Sequence, residues 1–591
     1  MTVDAELRAT QVDLGGLMKV LGQNLYSSAE VAVRELVQNA HDSCTRRRLA
    51  GDEGFEALIT VTPDAAAGTL TITDTGAGLT HDELVRDLAT VGAGATGRLR
   101  EATQTRDLIG AFGLGFLSAY FISERVEVRT TSHREAETGW LFSSRGGERY
   151  RLQPIPARAV GSEVTVHLSA DYRYLADADA LIPFLQRHCG LLPLPILVAK
   201  VRVNQPPPWR QPDLAPLRWR KEALAFAERF DRSFAPLCVV PVEGETVRGV
   251  AWVQDGGTYG TTDNRQVAAF VRGMLVDGDA RDLLPVWAGF CGAVLESVSL
   301  TPTASRESLQ TDARYRDAQR EVREALIDGL QQVAREDEAA WRRVLTRHNE
   351  ALLGAALCDD RLFELLAPRL KVPTSQGDLS LEVLRRRTRG RIPVKLGDAG
   401  EHEAMLFKAQ HIPVVDGTRY AVLPFCEREA KRVGAELVRT GTRAGEAAIF
   451  PPAVVDAATQ AALEALLGGP GRRIMPTRFS PTTLPLVLVP DHEAALKARL
   501  EADEADRRIS SAILGLARRF TAAIDGSVEA RVFVNLDAPL VRALLAAEGP
   551  RQAEVARVLK AIAALFASGG ATDVDAAGAF ADLSAGLGAL L

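Results

Sequence analysis

Three polar residues at helical spacing are the first feature of this sequence that could do chemistry. Glu35, Asn39 and Asp42 stand in the run from Arg34 to Asp42. On an α-helix, residues three or four positions apart share a face, so the three side chains form one polar column. A carboxylate can act as a general base, an amide oxygen can bind a metal ion, and a second carboxylate can accept hydrogen bonds. By itself, this spacing is more typical of a solvated helix face.

The helix that carries this column is predicted from the apolar period of Val31 to Ala40, with Leu36, Ala40 and Val33 toward the core. Ser27 or Ser28, followed by Glu30, is typical of its N-cap. After it, Leu58 to Thr62 and Thr69 to Thr73 alternate as two strands of a hairpin. The second strand ends in Asp74-Thr75-Gly76-Ala77-Gly78, where two glycines let the backbone approach a ligand beside a fixed carboxylate. Alone, such a segment is a turn about as often as a site.

Two glycine-rich segments follow a short predicted helix from Asp82 to Thr90. Val91 to Gly97 contains three glycines and three other small residues, which predicts a mobile flap. Ile109 to Phe116 contains three more glycines and leads into an apolar helix at Leu117 to Phe121. A glycine-rich loop that opens a helix presents free backbone N–H groups, which suit phosphate. Four strands are predicted next, at Arg125–Thr131, Gly139–Ser143, Tyr150–Gln153 and Ser162–Leu168.

The composition is that of an ordinary globular protein. The chain has 591 residues, a net charge of −6, 46% hydrophobic residues and 25% charged residues, so we expect several domains and no basic footprint for nucleic acid. The six cysteines are scattered without CxxC or Cys/His clusters, which predicts buried free thiols and neither a zinc site nor disulfides. No secretory signal or spanning apolar run is visible, so we expect a cytoplasmic protein that contacts no membrane.

The order and spacing of these segments within residues 30 to 170 resemble the ATP-binding fold shared by gyrase-type topoisomerases, histidine kinases, MutL-type mismatch-repair ATPases and heat shock protein 90 chaperones. Two segments resemble the heat shock protein 90 chaperones of the bacterial HtpG type. They are Leu25 to Leu36 and Phe112 to Tyr120, and the second ends in Ser-Ala-Tyr. The resemblance implies a dimeric ATPase that clamps around client proteins.

The expected architecture is a multidomain α+β and α/β chain. Residues 1–203 would form an N-terminal two-layer α/β sandwich ATPase domain of the Bergerat type, and 204–216 a proline-rich linker. Residues 217–467 would form a middle α/β domain that binds clients, and 472–591 a C-terminal α+β dimerisation domain. Strand signals at Arg478 to Leu488 and Val532 to Val541 and an apolar final helix support the last assignment.

The resemblance also implies roles for individual residues. Asp74 would accept a hydrogen bond from the exocyclic amine of adenine, and Ser162 would support this contact through a water molecule. Leu79 and Phe116 would form the apolar walls around the base. Asn39 would bind Mg²⁺ and Glu35 would deprotonate the attacking water. The remaining nucleotide contacts would come from Asp42, Gly78, Asp87, Gly113, Leu114 and Gly115.

A further segment, Ser305-Arg306-Glu307-Ser308-Leu309-Gln310, resembles the family's middle-domain catalytic loop. Arg306 and Gln310 would reach across to ATP. By itself, the same segment is typical of a helix start capped by Ser305.

Two departures from the family pattern affect the nucleotide site. The lid residues Gly92, Ala93, Gly94, Ala95 and Thr96 lack the usual lysine and serine, for which Arg98 or Arg100 could substitute. Asp87 stands where asparagine is common and adds a negative charge. We therefore expect slow hydrolysis of ATP.

His41 and His81 match no residue that binds a ligand in the family, and we expect them at the surface or behind the site.

Three other functions remain open from the sequence. A DNA-acting ATPase of the same superfamily is opposed by the acidic balance and by the Ser305–Gln310 loop. A nucleotide-gated scaffold without hydrolysis is favoured only by the altered lid. A histidine kinase would need a histidine-bearing dimerisation helix before the ATP domain, and none is visible.

Overall fold

The computed structural model describes residues 29–52, 54–90, 109, 115–258, 260, 262–303, 307–396, 407, 411–440, 443–491, 497, 527–567 and 576–590. The chain divides into two compact units. The first contains residues 1–258 and 262–347, and the second contains 259–261 and 348–591. No helix among the described residues is long and apolar enough to cross a membrane.

The first unit begins with an eight-stranded sheet, ordered β5-β4-β3-β6-β2-β1-β7-β8. Its strands are β1 Ile59–Asp64, β2 Thr69–Asp74, β3 Ser123–Thr131, β4 Thr138–Arg145, β5 Arg149–Pro156, β6 Gly161–Leu168, β7 Ile196–Val198 and β8 Val201–Arg202. The predicted hairpin is confirmed as the antiparallel pair β1–β2. Along β2 every second residue is buried, which is the period that predicted the strand. The four strands predicted between Arg125 and Leu168 are confirmed as β3 to β6.

Four helices accompany this sheet: α1 Glu30–Leu49, α2 His81–Glu83, α3 Ser118–Phe121 and α4 Ala178–Cys189. The apolar face of α1 packs on the sheet, where Val33 and Val37 meet Ile59, Leu70 and Ile72 in one buried cluster. The helix begins at Glu30 after Ala29, whose side chain makes no capping bond; the predicted caps Ser27 and Ser28 lie outside the described residues. Thr80 and Glu83 form a capping box on α2, which continues as one π-helical turn over Leu84–Leu88.

A second sheet in the same unit has five strands, ordered β12-β11-β13-β10-β9. They are β9 Pro236–Glu243, β10 Arg248–Gln254, β11 Gln266–Val271, β12 Met274–Asp277 and β13 Cys291–Ser297, with helices α5 Pro216–Phe230 and α6 Ala313–Glu336. The sequence also predicts strands from the apolar runs 237–242, 247–253 and 267–271, and these predictions are confirmed by β9, β10 and β11. Between the two sheets the proline-rich segment forms a short helical turn at Pro208–Arg210, and α5 begins at Pro216, a proline in the first turn.

The second unit contains two further sheets. The five-stranded one, ordered β15-β14-β17-β16-β18, is built from β14 Lys371–Thr374, β15 Gly377–Ser380, β16 Arg391–Lys395, β17 Val415–Asp416 and β18 Glu436–Arg439. The three-stranded one, ordered β19-β21-β20, is built from β19 Arg472–Thr477, β20 Leu486–Pro490 and β21 Ala530–Asn535. The remaining helices are α7 Glu338–Ala356, α8 Asp360–Leu366, α9 Leu381–Arg387, α10 Val422–Val433, α11 Arg443–Ile449, α12 Ala457–Leu467, α13 Pro539–Ala546, α14 Pro550–Ala567 and α15 Ala576–Leu590. Helix α7 spans the division between the units and is interrupted by non-helical backbone at His348.

Residues 307–310 are not helical, and α6 begins only at Ala313 with Asp312 as its cap, so these described residues do not support the alternative interpretation of the segment as a helix start. Two local predictions are wrong. The stretch from Val532 to Val541 is not one strand, because Pro539 opens α13. Cys358 is exposed, whereas the other five thiols are buried as expected.

Candidate functional site

The polar column of α1 is buried. Glu35 and Asp42 expose only 2% and 1% of their surface, and Asn39 is half-buried. The solvated-face alternative is therefore wrong for these residues. Arg34 Nη2 lies 3.3 Å from Glu35 Oε1 and supplies a neighbouring positive charge. A buried carboxylate in a protein interior needs such partners or a ligand, because desolvation of a lone charge is costly.

Gly115 faces the column from the other side of the site. A Cβ atom on Gly115 would lie 2.9 Å from Glu35 Oε2 and 3.6 Å from Asn39 Oδ1. A side chain at this position would require the Glu35 carboxylate to move, so glycine lets the backbone come close to both side chains as they are placed. Ser118 Oγ donates to Gly115 O at 2.6 Å and fixes the turn that enters α3. The structure thus brings Glu35, Asn39 and Gly115 together.

Asp42 holds the segment before Gly115. Its Oδ1 accepts a hydrogen bond from Ile109 N at 3.0 Å, and His41 Nδ1 lies 3.3 Å from the same oxygen. The sequence predicted that each histidine lies either at the surface or behind the site. His41 lies behind the column and is buried. His81 lies at the surface: its side chain is half-exposed, lies 3.1 Å from Asp82 Oδ1 and contacts the Trp140 ring.

Asp74 ends β2 beside α1 and is paired with Ser162 of β6. Its Oδ1 accepts hydrogen bonds from Ser43 Oγ and from Gly76 N, each at 2.8 Å. Burial raises the pKa of Asp74 from 3.8 to about 6, although these two hydrogen bonds act in the opposite direction. The carboxylate is therefore a fixed acceptor whose charge is only weakly stabilised.

The backbone next to Asp74 is tightly packed at three glycines. A Cβ atom would lie 2.3 Å from Ser43 Oγ on Gly76, 2.1 Å from Thr131 O on Gly78, and 2.1 Å from Asp74 O on Gly161. Gly78 also has φ +62°, which disfavours any other residue. Each of these positions requires glycine.

Ser43 and Thr130 are site residues that the sequence analysis missed. Thr130 Oγ1 bonds to Ser162 Oγ and Gly161 O, each at 3.0 Å, and accepts from Leu79 N at 2.9 Å. Ser43 stands four residues after Asn39, so helical spacing could have found it. Thr130 comes to the site only through the pairing of β3 with β6, for which its local sequence carries no signal.

Leu79 and Phe116 are both buried in the cluster that joins α1 to the sheet. The Phe116 ring meets Tyr120 and Phe142 edge-on, at centroid distances of 5.8 and 6.3 Å.

The charge of Asp87 is compensated, because Arg86 donates to both of its oxygens at 3.1 and 3.2 Å. The additional acid is thus half of an ion pair.

The segment around the predicted catalytic loop is a hairpin. Gln310 N donates to Thr301 O, and Thr303 N donates to Ser308 O, each at 2.9 Å. The Gln310 side chain is exposed and donates to Pro302 O of the same segment at 3.0 Å, so this hydrogen bond stays within the hairpin.

Five predictions fall outside the described residues: Gly113, Leu114, Arg306, the lid at 92–96, and Arg98 or Arg100.

No group of three or more His, Cys, Asp or Glu side chains that could hold a metal ion occurs in the described part of the chain. Asn39 Oδ1, beside Glu35 and Gly115, is a single amide oxygen. Magnesium commonly takes one or two protein oxygens and fills its remaining positions with water and substrate phosphate. The donor set fits Mg²⁺ that arrives with a nucleotide and does not fit a metal held by protein alone.

The chain is similar to known proteins in two comparisons. Residues 26–150 match the family model described as histidine kinase-, DNA gyrase B-, and HSP90-like ATPase. The chain is 28% identical over 410 residues to Chaperone protein HtpG of Rhodospirillum rubrum, a match that covers 64% of this chain and 65% of the relative. It is 29% identical over 330 residues to Chaperone protein HtpG of Paramagnetospirillum magneticum, covering 52% of each. It is 28% identical over 401 residues to Chaperone protein HtpG of Myxococcus xanthus, covering 61% of each.

The resemblance predicted from the sequence is therefore confirmed. The matches span less than two thirds of the length of these relatives. Apart from the gyrase B named in the family description, nothing in the comparisons favours the DNA-acting alternative.

Proposed function

We propose that this protein is an ATP-dependent molecular chaperone, which hydrolyses ATP to ADP and phosphate and remodels client proteins. The observation that carries the proposal is the convergence of buried Glu35 and half-buried Asn39 on Gly115, with the buried acceptor Asp74 bonded to Ser43 of the same helix. The similarity to proteins named Chaperone protein HtpG supports the chaperone assignment.

Nucleotide binding would begin at Asp74. Its carboxylate accepts the exocyclic amine of adenine, a donor that guanine does not present at that position. Ser162 and Gly78 complete the polar edge, and Leu79 and Phe116 cover the faces of the base. Backbone N–H groups of Gly113, Leu114 and Gly115 would receive the phosphates.

Asn39 would hold Mg²⁺ through its amide oxygen, and Asp42 would accept hydrogen bonds from the sugar side or from water. When bound, Mg²⁺ neutralises charge on the phosphate oxygens. The ion pair of Asp87 with Arg86 reduces the repulsion that Asp87 would otherwise exert on the nucleotide. The protein thus contributes mainly position and charge, which is what phosphoryl transfer requires.

Glu35 would perform the proton transfer. A water molecule held by its carboxylate attacks the γ-phosphorus, the bond from that phosphorus to the β–γ bridging oxygen breaks, and the proton of the water passes to Glu35. Arg306 and Gln310, carried on the 301–310 segment, would stabilise the γ-phosphate charge and orient it. Because that segment follows β13 of the second sheet, hydrolysis would require the two sheets of the first unit to be correctly docked.

The remaining parts of the proposal concern assembly. The final helix α15 exposes Phe580 and Leu587, apolar side chains that a second copy of the chain would cover. We assign residues 472–591 to homodimerisation, 217–467 to the middle domain with client binding, and the protein to the cytoplasm, without nucleic-acid or membrane partners. A dimer joined at this end would form a clamp that ATP opens and closes.

ATP turnover tests the proposal. Glu35→Ala removes the general base and should lower turnover by about a hundredfold or more while ATP still binds. Glu30→Ala is the matched control, because Glu30 lies on the same helix but bonds to Tyr174 outside the site. The wild type, but not Glu35→Ala, should also suppress the aggregation of a heat-denatured client in an ATP-dependent manner. Equal turnover in Glu35→Ala and wild type would refute the mechanism, and absence of turnover in the wild type would favour the nucleotide-gated scaffold.

A further inference from the structure

A second cavity, of about 540 Å³, lies within the first unit between α4 and α5. Its walls come from both sheets: Arg202 belongs to β8 of the first sheet, and Trp252 belongs to β10 of the second. None of the residues assigned to ATP lines it. Its volume falls within the range of about 300 to 1,000 Å³ that is usual for small-molecule sites.

The charged groups of this cavity are mostly arginines. Arg187, Arg202, Arg229 and Arg232 line it, against a single glutamate, Glu228. Within the described part of the chain, none of the four forms an ion pair with a carboxylate. Arg220, on the same helix as Arg229, behaves differently, because it pairs with Asp337 at 3.0 Å. All four are exposed to solvent, and Arg202 Nε donates to Asn204 O at 2.8 Å, so the cavity presents positive charge to water that no carboxylate of the described residues neutralises.

The nearest buried acid is already occupied. Asp231 accepts from Ser233 N, Phe234 N, Trp252 Nε1 and Gln254 Nε2 at 2.8 to 3.1 Å. These four donors satisfy its two oxygens, and the bond to Trp252 also fixes the indole in the cavity wall. Asp231 thus orients the apolar wall and does not neutralise the arginines.

Flat apolar groups line the cavity beside the arginines. The guanidinium carbon of Arg229 lies 5.0 Å from the centroid of the Phe226 ring, a cation–π geometry. Phe184 stacks on His188, with ring centroids 4.2 Å apart. Partial burial lowers the pKa of Arg229, but its side chain stays exposed to solvent, so an anion can reach the guanidinium.

We propose that this cavity binds a small organic polyanion, a phosphate ester with a flat ring. Arginine forks match phosphate oxygens in geometry and charge, and the partly exposed rings of Phe184 and Phe230 in the cavity wall match a ring. A ligand held by Arg187 and Arg202 on one side and Arg229 on the other would join the first sheet to the second. The site is separate from the ATP site and does not depend on hydrolysis.

Calorimetric titration of the full chain tests the proposal with two probes, 1-naphthyl phosphate and inorganic phosphate. We expect saturable binding of 1-naphthyl phosphate, at least about tenfold tighter than that of phosphate alone, with a change in tryptophan fluorescence from Trp252. Arg187→Ala and Arg229→Ala should each weaken binding by about tenfold, which is the loss of one charge-assisted contact. Arg218→Ala should leave binding unchanged, because Arg218 lies on the same helix as Arg229 outside the cavity and pairs with Glu222.

Several outcomes would overturn the proposal. They are the absence of saturable binding to the wild type, equal affinity in Arg187→Ala, Arg229→Ala and the wild type, and tighter binding of a polyglutamate peptide that displaces the probe. If an alanine variant fails to fold, Arg229→Lys keeps the charge without the fork and should bind at an affinity between those of the wild type and Arg187→Ala. ATP turnover is not a readout, so failure here leaves the proposed ATPase function untouched.

Discussion

At the scale of single residues, Asp74 is the group whose ionisation should be visible. Its pKa is raised by burial to about 6, and an amine donor requires the ionised carboxylate. ATP affinity should therefore fall as the pH drops through 6, by up to tenfold per pH unit. ATP also titrates in this range, so the pH dependence of binding is compared with that of Asp74→Asn, which cannot ionise at this position and should bind ATP weakly at every pH. An identical pH profile in both proteins would show that Asp74 does not contact the base.

The same pKa has the opposite consequence for the protein without nucleotide. Because the folded pKa lies above the ordinary value of 3.8, protonated Asp74 stabilises the fold below pH 4, and this contribution is lost as the pH rises through 6. Over that window the change is about 2 to 3 kcal/mol. Nucleotide binding and stability of the empty domain therefore change in opposite directions between pH 4 and 6.

Gly115 gives the sharpest prediction for a single side chain. Gly115→Ala places a methyl group 2.9 Å from Glu35 Oε2, so the carboxylate must move. Turnover should fall at least tenfold, because a general base acts only within hydrogen-bond reach of the water. Gly54→Ala is the control, since its Cβ would meet nothing within 4 Å. Full activity in Gly115→Ala would place the reacting water elsewhere.

At the scale of elements, Glu296 connects the proline-rich junction to β13. Its carboxylate accepts from Trp209 Nε1 at 3.0 Å and from Arg210 Nε at 3.1 Å, and Arg210 Nη1 donates to Leu191 O. The strand that carries Glu296 leads directly into the hairpin closed by Thr301 and Gln310. The junction is therefore bonded to the element that leads into the proposed catalytic loop.

Loss of this connection should affect catalysis more than binding. We expect Glu296→Ala to lower kcat several-fold with little change in the KM for ATP, because the ATP-binding residues on the first sheet are not touched. Steady-state kinetics measure both constants. Glu243→Ala, an exposed acid on β9, should leave kcat unchanged. A raised KM at constant kcat would show that Glu296 acts on nucleotide binding.

At the scale of the whole molecule, the six thiols report how completely the chain is packed. Burial raises the pKa of Cys44, Cys189, Cys238 and Cys426 to about 12, and that of Cys291 also rises. Cys358 alone among the six is exposed. A thiol reagent should therefore label one cysteine in the native protein and six after denaturation, and none in native Cys358→Ser. Labelling of two or more native thiols would contradict the described packing.

Much of this molecule could be predicted where local sequence and tertiary structure agree. The helical period of Val31 to Ala40 and the alternation of Thr69 to Thr73 correspond to α1 and β2, because one face of each element is buried. Prediction failed where long-range contacts decide. Thr130 joins the site through strand pairing, and residues 307–310 are held in a hairpin because Thr301 and Thr303 pair with Gln310 and Ser308. A capping pattern cannot reveal that competing pairing.

The three glycines around Asp74 also limit how this site can evolve. Gly76, Gly78 and Gly161 admit no side chain, so the wall beside Asp74 is a main-chain surface that substitution cannot reshape. Mutational tolerance there should be close to zero, and drift would accumulate instead in the residues that bond to Asp74 and its neighbours. A change of base preference would therefore be sought at Ser43, Thr130 and Ser162, whose hydroxyl groups can be exchanged while the backbone stays as it is.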